Sequence, residues 1–366
     1  MRQRDEAELR AHLDRFDLGG RVEGLTSQPG GHINASYQVT CRKGLGSERF
    51  LLQGVNSHVF EQPFLVMHNV ERVTDHLSHA LRGHPDARRR SLQLVPLSEG
   101  GTCFEDDEGD VWRVFPFIEG SVNVLEPQND TQVTEAARAF GTFGALMDGY
   151  SGASLVDTIP EFHHTPKRLD QLRAAAELDA AGRAAQVAED LNFVAERRLR
   201  ASRIQNALER GHIPVRVAHN DAKIANVLFD EASGEGLCVI DLDTVMPGSC
   251  LHDFGDLVRS MLSGRPEDEC DLETIDARPA VFEALVDGYL TGFGDRLVPA
   301  ERELLVEAGW TITLECGSRF LADHLAGDRY FPAHRDGHNL DRARSMFRLC
   351  AQIEARQEEL LGFCMA

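Results

Sequence analysis

Residues 217–229 read VAHNDAKIANVLF, and residues 239–243 read VIDLD. The first segment places a carboxylate, an ammonium and a carboxamide between two apolar runs, and the second is an apolar run that ends in two further carboxylates. Transfer of a γ-phosphoryl group requires a carboxylate that orients and deprotonates the acceptor hydroxyl, together with oxygen ligands that hold Mg²⁺ on the phosphates. The two segments therefore predict a phosphoryl-transfer centre.

Each polar residue of the two segments has a predicted role. Asp221 is the predicted base, and Lys223 steadies the transferring phosphate by its charge. Asn226 reaches a metal ion through its carbonyl oxygen, and Asp241 holds the metal from the facing strand. Asp243 is either a second metal ligand or a hydrogen-bonding brace. The spacing H-x-D-x-K-x-x-N matches the catalytic-loop pattern of protein kinases.

An ordinary turn rich in Asn and Asp is the alternative for residues 219–226, since such side chains often satisfy loop amides. This alternative explains neither Lys223 nor the matched acid downstream. A second string, HDFGD at 252–256, contains the D-F-G sequence that marks the metal aspartate of protein kinases. Because Asp253 follows a Pro-Gly loop and begins a helix-like run, we expect it to be an N-cap or a loop brace. The metal is therefore assigned to Asp241.

The catalytic segment resembles that of the aminoglycoside phosphotransferase and choline kinase superfamily, which shares the protein-kinase-like fold. The longer strings IDLDTVMPG at 240–248 and CGSRFL at 316–321 resemble the N-acetylhexosamine 1-kinase branch. The resemblance runs from about residue 28 to about residue 354. It implies direct transfer of the γ-phosphoryl group of ATP, with Mg²⁺, to the anomeric hydroxyl of N-acetylglucosamine or N-acetylgalactosamine, which gives a sugar 1-phosphate.

The order of the periodic segments predicts the architecture. A helix whose apolar residues recur every three or four positions spans 64–81, and helical periods dominate after residue 118. We therefore expect a two-lobed α+β fold of the protein-kinase type, with a small antiparallel-sheet N-lobe over residues 1–118 and a mainly helical C-lobe over residues 119–366. The predicted strands of the N-lobe lie at 22–27, 36–40, 49–53, 92–95 and 111–117.

The predicted phosphate-covering turn lies between the first two strands. Gly30 and Gly31 would let backbone amides approach phosphate oxygens closely, because glycine has no side chain in the way. A plain hairpin turn is the alternative. His32 follows in the same turn, and the resemblance to the hexosamine kinases implies that His32 faces the sugar.

The rest of the predicted nucleotide site lies on the third strand and after the last one. Gln53 occupies the position where protein kinases carry the lysine that pairs with the α- and β-phosphates. An uncharged residue there means either an inactive site or phosphates held by Mg²⁺, Lys223 and the glycine turn. The hexosamine 1-kinase branch shares the glutamine, which favours the active interpretation. Phe115, Phe117 and Ile118 form the predicted hinge, whose backbone groups read the adenine edge.

The predicted acceptor pocket belongs to the C-terminal third of the chain. Glu315, Arg319 and Asp323 follow one another at four-residue steps, which is typical of a salt-bridge ladder on a helix face. The resemblance to the hexosamine kinases instead implies that Arg319, with Tyr330 beyond the helix, lines the acceptor pocket. We expect the pocket, and the ladder is the alternative.

Composition limits the partners and the location. The 366 residues include 59 acidic and 38 basic side chains, and the formal charge of −21 argues against nucleic acid and anionic membranes as partners. Eight cysteines stand without a metal-like cluster, which is typical of reduced thiols in a cytoplasmic protein. No apolar run approaches the roughly 20 residues that span a bilayer, and the N-terminus lacks the apolar core of a signal peptide. We expect a cytoplasmic protein that binds a small-molecule sugar, and the oligomeric state is open.

Two other functions stay open from the sequence. One is a kinase of the same superfamily for an aminoglycoside, an amino sugar such as glucosamine, or a choline-like acceptor, because the acidic charge slightly favours a cationic substrate. The other is a nucleotide-binding pseudokinase, and Gln53 is the only residue that supports this hypothesis. The intact set of Asp221, Asn226 and Asp241 argues against a pseudokinase, because a binding module needs no base.

Overall fold

The computed structural model describes residues 4–28, 34–57, 59–150 and 155–365. The chain begins with helix α1 (Glu6–Leu13), whose N-cap Asp5 accepts a hydrogen bond from the backbone N–H of Glu8. The other elements of the N-lobe are β1 (Arg21–Ser27), β2 (Ala35–Lys43), β3 (Gly46–Val55), α2 (Pro63–Ala80), α3 (Ala87–Arg90), β4 (Cys103–Glu105) and β5 (Val111–Pro116).

The five strands form one antiparallel sheet in the order β1-β2-β3-β5-β4. Successive side chains of a strand point to opposite faces. In β5, Trp112 and Val114 therefore pack in the cluster that contains α1, while Val111 and Phe115 pack with α2 on the other face. The same alternation carries Arg113 to the α2 face, which is also the face toward the C-lobe.

One of the five predicted strands is wrong. Residues 92–95 form no strand, although the backbone N–H of Val95 donates to the Val114 carbonyl at 2.9 Å. Pro96 comes next and has no N–H to continue such a ladder. The edge of the sheet is instead β4, which pairs with β5. The other four predicted strands and the helix predicted at 64–81 are confirmed as β1, β2, β3, β5 and α2.

The C-lobe is mainly helical. Strand β8 (Val227–Asp230) pairs with β6 (Ser121–Asn123) and β9 (Gly236–Val239) in one small sheet, and β10 (Met246–Gly248) pairs with β7 (Arg216–Ala218) in another. These two sheets carry the catalytic segments. The fold is the expected two-lobed α+β fold, while the division at residue 118 stays a prediction. Within the described ranges, no helix has the length and apolar character needed to cross a bilayer. The elements are β6 (Ser121–Asn123), α4 (Asp130–Met147), α5 (Thr165–Leu178), α6 (Ala188–Ala201), α7 (Arg203–Glu209), β7 (Arg216–Ala218), β8 (Val227–Asp230), β9 (Gly236–Val239), β10 (Met246–Gly248), α8 (Cys250–Met261), α9 (Pro279–Phe293), α10 (Pro299–Glu303), α11 (Leu305–Ala326), α12 (His338–Ala355) and α13 (Gln357–Met365).

Helix α4 packs against His219 of the catalytic segment. Phe140 and Phe143 of α4 contact the His219 ring edge-on, with ring centroids 5.2 and 5.9 Å away. The His219 Nε2 lies 2.9 Å from the Ile240 carbonyl, so the ring joins the two catalytic segments through its Nε2–H. The position of the catalytic loop therefore depends on where α4 lies.

Helices α4 and α9 pack at unusually close range because glycine lies at their contact. A Cβ atom on Gly288 would lie 2.2 Å from the Thr134 carbonyl oxygen, and one on Gly292 would lie 2.3 Å from the Arg138 carbonyl oxygen. Both distances are far below van der Waals contact, so a side chain at either position would force the two helices apart. The glycines thus let α4 lie close to α9, in the position from which its phenylalanines contact His219.

We expect Gly292→Ala to destabilise the chain by about 1–3 kcal/mol, the usual cost of overpacking a well-packed contact. Chemical denaturation monitored by circular dichroism measures this difference. Gly362→Ala is the matched control, because Gly362 is also helical but has no atom within 4 Å of a built Cβ. The control should be neutral or stabilising by up to about 1 kcal/mol, through helix propensity alone. Equal effects of the two substitutions would contradict the close packing.

Candidate active site

The catalytic segment leaves β7, passes through a single 3-10 turn at Ile224–Asn226 and continues as β8. The Lys223 Nζ donates to Asp221 Oδ2 at 2.8 Å. The Asn226 Nδ2 donates to the Asp221 backbone carbonyl at 2.9 Å and to Asp221 Oδ2 at 3.1 Å. The Asp221 and Lys223 side chains stay 24% and 31% exposed, so both can meet a substrate. The structure brings together the predicted base, lysine and amide.

The charges of Asp221 and Lys223 stabilise each other. Burial opposes the ionisation of Asp221, but the Lys223 ammonium outweighs it, so the pKa of Asp221 is lowered. Burial likewise opposes the charge of Lys223, but the Asp221 carboxylate prevails and the pKa of Lys223 is raised. At neutral pH, Asp221 is therefore a carboxylate that can accept a proton, and Lys223 is an ammonium.

Asp241 follows β9 at the opposite side of the site. Burial and the nearby carboxylates of Asp243 and Asp221 raise the pKa of Asp241 to about 7. In the part of the chain that the structure describes, no hydrogen-bond donor meets the Asp241 carboxylate. A carboxylate crowded by other carboxylates is a position that a cation stabilises strongly.

Asn226 and Asp241 are suited to hold a magnesium ion. The Ile240 backbone N–H donates to the Asn226 carbonyl at 2.9 Å, so the two residues lie on paired backbones. Because Asn226 directs its Nδ2 to Asp221, its Oδ1 is left as an acceptor. Mg²⁺ usually takes one or two protein carboxylates together with substrate phosphates and waters. The donor set of one free carboxylate and one amide oxygen fits this requirement.

The carboxylate of Asp253 holds the backbone of the catalytic loop. It accepts the N–H of His219 at 2.9 Å and the N–H of Asn220 at 2.7 Å. The loop-brace prediction for Asp253 is therefore confirmed. The N-cap alternative is wrong, because helix α8 begins after Ser249, whose side chain accepts the Leu251 N–H. Asp253 lies within the first turn of α8, from which its side chain reaches the loop.

The sequence predicts two alternatives for Asp243, a second metal ligand and a hydrogen-bonding brace, and its geometry is that of the brace. Its Oδ1 accepts from Arg113 Nη1 at 2.6 Å, and its Oδ2 accepts from Asn34 Nδ2 at 2.6 Å. The Arg113 and Asp243 side chains are each 2% exposed. Since both carboxylate oxygens have partners from the N-lobe, a metal ion would have to compete with a buried ion pair for Asp243. The metal role predicted for Asp243 is thus not what the geometry favours.

Gln53 has two partners in the N-lobe sheet. Its Nε2 donates to Ser36 Oγ at 3.0 Å, and its Oε1 accepts from Arg113 Nε at 3.3 Å and Nη2 at 3.1 Å. Sequence reasoning missed Arg113. The available signal was an arginine inside the otherwise apolar strand pattern at 111–117.

The predicted phosphate-covering turn lies outside the described residues, and this applies to Gly30, Gly31 and His32. Their roles stay predictions. On the near side of the turn, Asn34 is held firmly, because its Oδ1 accepts the backbone N–H of Asn56 at 3.0 Å while its Nδ2 binds Asp243.

The hinge residues differ in what they offer a nucleotide. The Phe117 N–H donates to the Arg49 carbonyl at 2.9 Å, and the Ile118 carbonyl accepts from Ser121 Oγ at 2.6 Å. These two backbone groups therefore already have partners. Phe115 is buried in the main core. The Ile118 side chain packs in a small apolar cluster that includes Ile240, the residue before Asp241. The predicted hinge therefore has an apolar surface close to Asp241.

Arg319 lies between two aromatic rings instead of in a salt-bridge ladder. Its guanidinium carbon is 5.1 Å from the Phe162 ring centroid and 5.5 Å from that of Phe331. Among the described residues, no carboxylate lies within ion-pair distance of Arg319. Tyr330 contacts Phe331 edge-on at 4.8 Å and is 61% exposed. The structure thus brings Arg319 and Tyr330 to one aromatic cluster.

The ladder alternative is wrong because its two acids have other partners. Glu315 accepts from Thr165 Oγ1 at 2.6 Å and lies 2.8 Å from His163 Nδ1. Asp323 accepts the backbone N–H groups of residues 329–331 and the Asn339 side-chain amide. Tertiary hydrogen bonds thus replace the helix-face pairs that the four-residue spacing indicates.

His163 links α11 to the catalytic loop, a connection that sequence reasoning missed. Its Nδ1 meets Glu315, and its Nε2 lies 3.1 Å from the Asn220 carbonyl. Burial alone would lower the pKa of His163, but the Glu315 carboxylate raises it. Burial would raise the pKa of Glu315, but His163 lowers it to about 2. His163 and Glu315 therefore form a buried ion pair, and this pair contacts Asn220, the residue that precedes the predicted base.

A model of the phosphotransferase enzyme family matches residues 25–303. The chain belongs to this family. Among solved structures, it is similar to spectinomycin phosphotransferase APH(9)-Ia in complex with ADP and spectinomycin, at 11% identity and a TM-score of 0.62, over 96% of this chain and 99% of that one. It is also similar to the GDP complex of aminoglycoside 2'-phosphotransferase-IIIa, at 10% identity and a TM-score of 0.61, over 94% and 99%.

A third similar structure is the choline kinase of Cryptosporidium parvum Iowa II, at 14% identity and a TM-score of 0.55, over 92% of this chain and 90% of that one. At such identities the structures establish a shared fold. The superfamily predicted from the catalytic segment is therefore confirmed, both by the family match and by the fold of this phosphotransferase.

We expect Glu315→Gln to lower the free energy of unfolding of this phosphotransferase by about 3 kcal/mol near pH 5.5, because breaking a buried ion pair leaves a charge unpaired. The raised pKa of His163 means that its contribution is complete below about pH 6.5 and is lost as the pH rises through the folded value. The lowered pKa of Glu315 means that its contribution is lost as the pH falls from about 4.5 toward 2. The difference from wild type should therefore be largest between these limits.

Urea denaturation from pH 3 to pH 9 measures this difference. Asp256, 3.8 Å from His163 Nε2, and His252, whose pKa is lowered to about 3 by burial and by His163, face the same ring, so the profile belongs to this group. Glu177→Gln is the control, because Glu177 is 68% exposed and its pair with Arg173 should contribute under about 1 kcal/mol. A difference that is flat with pH would rule out the ion pair.

Proposed function

We propose that this phosphotransferase transfers the γ-phosphoryl group of ATP directly to a hydroxyl of a small sugar, and that the acceptor is the anomeric hydroxyl of an N-acetylhexosamine. The observation that carries the transfer reaction is the partly exposed Asp221 carboxylate, held by Lys223 and Asn226 and near the donor-free carboxylate of Asp241. A nucleotide-binding module would not need this base.

The residues divide the chemistry between them. Asp221 accepts the proton of the sugar hydroxyl as the hydroxyl oxygen forms its bond to the γ-phosphorus, and the bond to the β-phosphate oxygen breaks to release ADP. Lys223 places its charge beside the transferring group, within 2.8 Å of Asp221. Asn226 and Asp241 would hold Mg²⁺, which when bound neutralises phosphate charge. The reaction needs no covalent enzyme intermediate.

The two arginines at the predicted acceptor pocket favour a neutral sugar over a cationic acceptor. Arg319 stacks on Phe162 and Phe331 without a described carboxylate partner. Arg168 lies nearby, since burial and the Arg319 charge lower the pKa of Arg168. Two guanidinium groups would repel the ammonium groups of an aminoglycoside or choline-like acceptor. The resemblance of the CGSRFL segment to hexosamine 1-kinases supports the same choice.

The proposal includes ATP as donor and a cytoplasmic location. ADP occupies the similar spectinomycin phosphotransferase, and GDP occupies the similar 2'-phosphotransferase, so both purines are tested below. All eight cysteines are free thiols, five of them buried. Free thiols are typical of the reducing compartment in which ATP is available.

We expect turnover of N-acetylglucosamine and N-acetylgalactosamine with Mg²⁺-ATP, with the phosphate on the anomeric carbon. The acceptor specificity is measured by the release of nucleoside diphosphate from ATP or GTP. The acceptors tested are these two sugars, glucosamine, glucose, kanamycin and choline, and phosphorus NMR locates the phosphate on the product. Turnover confined to kanamycin or choline would discard the proposed acceptor. Absence of turnover with any acceptor, despite nucleotide binding, would favour a pseudokinase.

Asp221→Asn is the matched variant for this assay. It should lower kcat by about 10²–10⁴-fold, because an amide cannot accept the hydroxyl proton, and it should leave nucleotide affinity nearly unchanged. Near-normal turnover of Asp221→Asn would refute Asp221 as the base.

We expect Arg319→Ala to raise the KM for the sugar about tenfold with little change in kcat, because a lost hydrogen bond to a charged group costs about 1.5–3 kcal/mol. Steady-state kinetics at saturating ATP measure the two constants. Arg173→Ala is the control, since Arg173 is 69% exposed on α5 and pairs only with acids of its own helix among the described residues. An unchanged KM would remove Arg319 from the acceptor pocket.

A further inference from the structure

Arg113 stands directly opposite Gln53 in the N-lobe sheet. Strands β3 and β5 are antiparallel, and their register pairs Gln53 with Arg113. Directly opposed residues share one face of the sheet, with Cβ atoms about 4.5–5.5 Å apart. A side chain at position 113 therefore starts one strand away from the position where a kinase sheet carries its lysine. The longer arginine can span that offset.

The contacts of Arg113 direct its charge to the cleft. Gln53 is held by its bond to Ser36, so its Oε1 faces Arg113 and accepts from both Nε and Nη2. The Nη1 atom reaches Asp243, two residues beyond Asp241. These contacts use three of the five N–H groups of the guanidinium. One of the others faces only the weak acceptor Sδ of Met67, at 3.8 Å. The second N–H of Nη2 has no acceptor among the described residues, so hydrogen-bonding capacity remains on the guanidinium.

We propose that Arg113 supplies the positive charge of the sheet at the nucleotide phosphates, and that Gln53 positions it. The inference rests on the proposed use of a nucleoside triphosphate. Arg113 replaces the absent lysine of the third strand, and Gln53 is the neutral acceptor that orients the guanidinium. The glutamine is then part of a working phosphate site and not a sign of an inactive one.

The charge balance of the cleft requires such a cation. The cleft contains the carboxylates of Asp221 and Asp243, and each is paired with one cation: Lys223 Nζ lies 2.8 Å from Asp221 Oδ2, and Arg113 Nη1 lies 2.6 Å from Asp243 Oδ1. A nucleotide adds several more negative charges to the same space, so a basic group from the sheet side lowers the cost of binding its phosphates.

The other buried arginine of the described chain serves a different purpose. Arg4 is 7% exposed and Arg113 is 2% exposed, and no other described lysine or arginine is buried. Arg4 binds the acidic turn between β4 and β5, with Asp106 and Asp110 both at 2.7 Å. It therefore holds the sheet together and does not face the cleft, which makes it the matched structural control for Arg113.

Titration calorimetry with ADP and with adenosine tests the role of Arg113 without any acceptor. Arg113→Gln should weaken ADP binding about tenfold or more, the usual effect of losing a hydrogen bond to a charged group, and should change adenosine binding by less than about twofold. Arg4→Gln should lower the melting temperature and leave the ratio of ADP to adenosine affinity unchanged. A merely structural Arg113 would behave as Arg4 does.

Moving the charge across the strands gives the second test. The double variant Gln53→Lys, Arg113→Gln returns the cation to the third strand and should recover at least part of the lost ADP affinity relative to Arg113→Gln. Equal loss of ADP and adenosine affinity in Arg113→Gln, or no recovery in the double variant, would overturn the role of Arg113. Wild-type protein that binds no purine nucleotide would overturn nucleotide use itself, and failure of sugar turnover alone would leave both tests intact.

Discussion

The hydrogen bonds from the backbone amides of His219 and Asn220 to the Asp253 carboxylate determine the shape of the catalytic loop. Asn220 has a φ of 62°, a left-handed conformation that costs free energy for a residue with a side chain. The loop keeps this conformation because α8, which carries Asp253, is buried in the C-lobe core, and because the Thr244 hydroxyl also binds the His219 carbonyl at 2.7 Å. The resulting turn directs His219 into the core, where it is fully buried, and leaves the Asp221 side chain partly exposed.

The two lobes meet through a charge pair whose hydrogen bonds are complete only when both lobes are in place. A buried ion pair repays its desolvation cost only if the remaining donors and acceptors are also satisfied. Asp243 from the C-lobe therefore depends on Arg113 and Asn34 from the N-lobe, and Arg113 in turn depends on Gln53. The separation between the sheet and the segment that carries Asp241 and Asp243 is thus set by hydrogen-bond length, which is a tighter constraint than apolar contact.

The distance along the chain explains which parts of the site the sequence predicts. Asp221, Lys223 and Asn226 lie within six residues, so local spacing alone brings them together. Arg113 is 130 residues from Asp243, and only the register of β3 with β5 and the closure of the lobes bring the two into contact. Likewise, the spacing of Glu315 and Arg319 indicates a ladder, but His163, 152 residues away, binds Glu315 instead. Local patterns cannot reveal partners that topology supplies.

The segment at Phe162 and His163 connects acceptor recognition to the base. The Phe162 ring centroid lies 5.1 Å from the guanidinium carbon of Arg319, the residue proposed for the acceptor pocket, while the Nε2 of the next residue, His163, lies 3.1 Å from the Asn220 carbonyl, immediately before Asp221. One short backbone segment therefore joins the proposed acceptor pocket to the catalytic loop. Because the Glu315 carboxylate fixes His163 from α11, the contact between His163 and the catalytic loop does not depend on the Arg319 side chain. Loss of Arg319 in this phosphotransferase should therefore act on acceptor binding more than on turnover.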